Sequence, residues 1–138
     1  MSAFPLLLLA LFLYNLLVFG GDLAGVGDIA ALLNESFAVT MPSKDVWHFT
    51  WSDLFATFTL SLLFIEMVKA TRTGRSEILN HAFSTLTFIG ALVEFLLLKG
   101  FATSAFFLLT AIALFDVVAG YTISLVSARR DLSMPHVE

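Results

Sequence analysis

Three carboxylates stand inside long apolar stretches: Glu66, Glu94 and Asp116. A charge near the centre of a bilayer is costly, so ionisable residues there are the first candidates for function. Side chains of this kind exchange protons or hold a cation. Glu66 belongs to the series Ser52, Thr59, Glu66 and Thr73, each seven apart and so on one helix face. Lys69 follows at i+3, so a plain ion pair accounts for Glu66 as well as a functional role does. Glu94 ends the series Asn80, Ser84, Thr87, Ala91 and Glu94, which steps by four and three. That stripe is small or polar throughout and is expected to face a partner helix. Lys99 is near enough to draw Glu94 towards the interface, where anchoring alone would explain it.

Asp116 is the most informative of the three. It lies near the middle of its segment, roughly 20 Å of helix from Arg129, with no basic neighbour in reach on that helix. Ala105, Ala113, Ala119, Gly120 and Ser124 share its side, which lets another helix approach closely. Tyr14 and Asn15 of the first segment are at a compatible depth to donate to it. Without donors the group keeps its proton at neutral pH. A hydrogen-bonded packing role and a functional role both stay open.

By depth the acids form a ladder, Glu66 low, Asp116 in the middle and Glu94 high, which could pass protons or bind a cation. Tyr14, Asn15, Asn80, His81 and Thr87 are the supporting polar groups, and His81 is placed to contact Glu66. Asp53 does not belong to the ladder. It falls in the first turn of a helix after Thr50 and Ser52, where a carboxylate caps the backbone.

Other chemistries lack their residues. There is no Cys, which excludes disulfides and thiolate sites. No G-x-S-x-G, Walker A or dinucleotide fingerprint occurs. His48, His81 and His136 are widely spaced and never at i, i+4, so no metal site is expected. The basic residues form no nucleic-acid stripe. The reading is of a non-enzyme with no cofactor.

The elements that must hold these residues follow from hydropathy. The chain has 138 residues, of which 59% are hydrophobic and only 13% charged, about half the charge of a soluble domain. A hydrocarbon core of ~30 Å needs about 20 helical residues, and four segments qualify, about 3–19, 51–70, 76–99 and 102–128. Gly20-Gly21 is read as the end of the first and Gly100 as the stop of the third. The first segment lacks a positive leader and a small-x-small cleavage site, and is kept as a retained helix. The fold expected is an all-α integral membrane protein, a four-transmembrane-helix bundle in a single domain over 1–138. No internal repeat divides it.

Lys69, Arg72, Arg75, Arg129 and Arg130 fall on one side, against Lys44 and Lys99 on the other. The positive-inside rule makes the first side cytoplasmic. Both termini and the tail 129–138 are then inside, and residues 20–50 form an extracytoplasmic cap. In a bacterial inner membrane that cap is periplasmic. Leu23, Val26, Ala30, Leu33 and Phe37 repeat at helical spacing and read as an amphipathic helix on the membrane surface. Phe37, Val39 and Met41, then Trp47, Phe49 and Trp51, alternate around Pro42-Ser43-Lys44-Asp45 and read as a β-hairpin. Trp47 and Trp51 suit the interfacial aromatic belt as outer anchors.

The size and four-helix plan match two families of small membrane proteins, but the residues do not. Small multidrug transporters carry an essential acid in the first helix, where this segment has none. The trimeric glutathione-linked membrane enzymes carry Arg-rich polar motifs that are missing here. The expectation is a homo-oligomer, a trimer first and a dimer next, that acts as a structural or interaction component of the cell envelope. Its partners are the lipid bilayer, itself and an envelope protein met through residues 20–50. The alternative is proton- or cation-coupled transport through Glu66, Asp116 and Glu94.

Overall fold

The computed structural model describes residues 4–70 and 76–132. The readings of Arg72, Thr73, Arg75, the tail from 133, and the side chains of Ser124, Arg129 and Arg130 lie outside the described residues. In chain order the elements are α1 (Leu7–Ala24), α2 (Ile29–Leu33), β1 (Ser36–Thr40), β2 (Val46–Thr50), α3 (Trp51–Ala70), α4 (Ser76–Leu97) and α5 (Ser104–Leu132). Four helices, α1, α3, α4 and α5, are long and apolar enough to cross a membrane. Each buries only 22–33% of its apolar window inside the chain. Large side chains such as Phe12, Phe64, Leu97 and Phe115 point outward. Apolar surface on that scale is unsustainable in water and is what lipid covers, so the protein is membrane-embedded.

The first helix runs past its glycine pair. It ends at Gly25, whose φ of 68° suits a residue without a β-carbon. The Gly25 N–H donates to Asp22 O at 3.3 Å and the Val26 N–H to Gly21 O at 2.9 Å, the paired bonds of a Schellman ending. Gly21 serves packing instead: a β-carbon there would collide with the Ile29 side chain.

The expected surface helix is cut short for the same reason. Gly25 and Gly27 interrupt its period, Asp28 starts a new helix by accepting from the Ala30 N–H at 2.9 Å, and Phe37 goes to a strand. The five-residue α2 buries Ile29 and Leu33, while Leu23 of the expected stripe is 91% exposed.

The hairpin forms as an antiparallel pair with Phe37 opposite Phe49 and Val39 opposite Trp47. Its turn closes with the Met41 N–H donating to Asp45 O at 2.8 Å, and Lys44 takes a left-handed φ of 72°. Trp51 starts α3 rather than ending the strand. There the Thr50 N–H donates to Asp53 Oδ2 at 2.8 Å and the Asp53 N–H to Thr50 Oγ1 at 3.2 Å. This is a capping box, as the position of Asp53 suggested.

Helix α5 packs against both α3 and α4, and α1 touches all three. Near the hairpin, Tyr14, Phe55, Phe101 and Phe106 form an aromatic core, with Tyr14–Phe106 ring centres 4.6 Å apart. Two contacts set the antiparallel α4–α5 register. Phe95 stacks on Phe106 at 6.4 Å, and the His81 ring lies over Gly120, where a β-carbon would come within 2.5 Å of it.

Candidate functional site: a polar pocket at the α3–α4 end

The acids occupy two separate places. Glu66 is 1% exposed and anchors the first. The Leu6 N–H donates to Glu66 Oε2 at 2.6 Å, and Asn80 Nδ2 donates to Glu66 Oε1 at 3.0 Å. Lys69 Nζ stands 3.8 Å from the same carboxylate and donates to Phe4 O at 3.1 Å. Leu6 is the N-cap of α1 and has no side-chain cap of its own. Glu66 therefore caps α1 from a neighbouring helix, where a negative charge is favoured by the helix dipole. One carboxylate joins α1, α3 and α4.

Asp116 belongs to the same end. The register set by Phe95 and His81 brings Ser84 opposite Asp116. The two interact, and Glu66, His81 and Lys69 all lie within electrostatic reach of Asp116. The Ser84 hydroxyl nevertheless completes no hydrogen bond of proper geometry. Asp116 Oδ2, Ser84 Oγ and Asn80 Oδ1 are all buried without a hydrogen-bond partner. Asn80, Ser84 and Asp116 are 7%, 3% and 5% exposed. Buried polar atoms normally find partners, so three without one in a single pocket call for an explanation.

Glu94 is elsewhere. Asn15 Nδ2 donates to Glu94 Oε2 at 2.8 Å and to Leu11 O at 3.0 Å. Ser84 and Glu94 are ten residues apart on α4, about 15 Å of rise. Buried Leu11, Ala91, Leu109 and Ala113 belong to the core over that interval. The ladder of three acids is thus divided: Glu66 and Asp116 lie within electrostatic reach of each other, and Glu94 is paired with Asn15 nearer the hairpin.

The remaining supporting residues are distributed accordingly. Tyr14 and Asn15 do not reach Asp116. Tyr14 Oη hydrogen-bonds to Thr103 Oγ1 and donates to Gly100 O at 3.3 Å, which ties α1 to the α4–α5 turn. Thr87 donates to Phe83 O within its own helix at 2.8 Å. Asn80 and Ser84 are the residues that share the pocket with Asp116 and Glu66. Ser84 was visible as part of the α4 stripe, but depth alone did not single it out.

A groove of about 800 Å³ opens between α1, α2 and α3, lined by Leu13, Leu17, Leu33, Leu54 and Phe58. It is apolar, and none of the three acids lines it. Compared with protein-family profiles, curated proteins and solved structures, the chain has no significant match.

Proposed function

We propose that the chain is a non-enzymatic membrane component that self-associates and meets an envelope partner through its hairpin end. The observation in favour is the hairpin itself. Phe37, Val39, Trp47 and Phe49 are paired on one of its faces, and the first three are 43%, 42% and 54% exposed. A two-stranded hairpin is marginal by itself, and this one leaves its aromatic face uncovered. In a bacterial inner membrane with both termini cytoplasmic, that face is periplasmic. A second copy or an envelope protein would cover it, in a trimer or, failing that, a dimer. Cross-linking and mass measurement in lipid nanodiscs test this. The wild type should give a defined oligomer that Trp47→Ser with Phe49→Ser dissociates. If the double variant keeps the same oligomer, the hairpin rests on lipid and the reading fails.

Proton- or cation-coupled transport is a second reading, favoured by Glu66 and Asp116 lying within electrostatic reach of each other. A continuous path through Glu94 has no such support. Reconstituted vesicles should show a flux that Asp116→Asn abolishes; a flux indifferent to that change sinks the reading.

A further inference from the structure

The α3–α4 end leaves two buried acceptors unmatched, Asn80 Oδ1 and Asp116 Oδ2, beside one hydroxyl, Ser84 Oγ, that has a single proton to give. Glu66 already receives the Leu6 N–H and the Asn80 amide, with Lys69 3.8 Å away. Asn80 Nδ2 is spent on Glu66, which leaves its carbonyl oxygen as the group to be satisfied. Ser84 Oγ and Asp116 Oδ2 are buried and unpartnered as well, and the α4–α5 register places Ser84 opposite Asp116. Asn80 and Ser84 are one turn apart on one face, and Asp116 lies across from them.

Charge narrows the occupant. Lys69 is paired with Glu66, so among the described residues one carboxylate, Asp116, is left to be matched by its own proton, by His81 or by a bound ion. One negative charge calls for one positive charge. The donor set is all oxygen, which suits a hard cation and not a soft one. Among the described residues no three of His, Cys, Asp and Glu gather as a transition-metal site would require. Asn80 is four residues into α4 and Ser84 eight, about 6 and 12 Å of helix.

We propose that Asn80, Ser84 and Asp116, backed by Glu66, form a binding site for one small hard monovalent cation, with Na⁺ as its test ion. The ion bridges α4 and α5 at the level where Glu66 joins α3 to α1, so its binding tightens that end of the bundle. The site requires binding only, and does not depend on the ion crossing the membrane.

The test uses the full chain in lipid nanodiscs. Thermal unfolding is followed in NaCl against N-methylglucamine chloride at equal ionic strength, with equilibrium binding of radioactive Na⁺ measured in parallel. The expected result is a saturable rise in Tm with Na⁺ and one Na⁺ bound per chain. Asp116→Asn should remove both, and Ser84→Ala should weaken binding by roughly tenfold, the lower range for losing a group that orients or completes an ion site. Glu94→Gln, outside the pocket, should bind as the wild type does. A Tm that follows ionic strength alone would mean that water, His81 or a proton on Asp116 satisfies the pocket, and would overturn the proposal. Should Asp116→Asn not fold, undiminished Na⁺ binding by Ser84→Ala overturns it equally. Flux in vesicles separates the two ideas, since Na⁺ binding without flux upholds the site and removes the transport reading.

Discussion

Glu66 shows how a buried carboxylate is held by donors from three directions. Its partners are a backbone N–H of α1, a side-chain amide of α4 and an ammonium one turn along α3. Glu66→Gln keeps a single acceptor oxygen for two hydrogen-bond donors. Leaving one of them unpaired should cost about 1–3 kcal/mol, read as a lower unfolding transition in detergent micelles. Glu66→Ala leaves both donors unpaired, while Lys69 keeps Phe4 O, and should cost about 2–6 kcal/mol. Tyr14 makes the corresponding link nearer the hairpin. Tyr14→Phe preserves the aromatic packing but leaves Thr103 Oγ1 and Gly100 O without the phenol, for about 1–3 kcal/mol by the same measurement. If Tyr14→Phe were neutral, the ring packing alone would hold that end. The i+3 spacing made Lys69 a visible partner of Glu66. The Leu6 N–H was invisible, because a backbone donor at a helix start has no identity in the sequence.

The helices and strands stop and start where local chemistry is strongest. Gly100 follows α4 with a φ of 85°, and a β-carbon there would lie 2.9 Å from Val18 Cγ1. Gly100→Ala combines left-handed strain, about 1–2 kcal/mol, with displacement of α1. Its unfolding transition should fall further than that of an alanine substitution at exposed Gly27, which is in open space. The Thr50–Asp53 box starts α3 directly from a strand, and Asp53→Ala should cost about 1 kcal/mol of stability. Gly120 admits the His81 ring. Gly120→Ala should push that ring away from the pocket at about 1 kcal/mol, the low end of overpacking costs, because an imidazole can swing aside. The His81 NMR shifts should report the displacement. The end of α1 was misplaced at Gly20-Gly21 because glycine is a common stop but also a common point of close approach. Here Gly21 makes room for Ile29 and Gly25 makes the turn.

Taken as one body, the chain is a thin bundle whose helices expose most of their apolar surface. Only 22–33% of each span is covered from within, which leaves the rest open to lipid. The absence of Cys makes orientation directly testable. Ser43→Cys, in the hairpin turn, should react with an impermeant maleimide from outside intact cells. Ala70→Cys, at the other end of α3, should react only after the membrane is opened. The reverse pattern would invert the orientation argued from Lys and Arg. The hairpin aromatic face and the polar pocket lie at opposite ends of α3, so Trp47→Ser should leave Na⁺ binding unchanged while altering self-association.

The sequence by itself determined the four helices long and apolar enough to cross a membrane, the hairpin with its turn, the Asp53 cap and the inward stripe from Asn80 to Glu94. Each rests on composition or on a local period, and neither depends on knowing a neighbour. Only the tertiary structure decided which acids meet. Depth along a helix follows from residue number, but rotation about the helix axis and the choice of adjacent helix do not. Depth matched Asn15 to Asp116, but packing gave it to Glu94. The same packing set Asp116 opposite Ser84 and within electrostatic reach of Glu66. The unpaired oxygens of that pocket exist only as a relation between α3, α4 and α5.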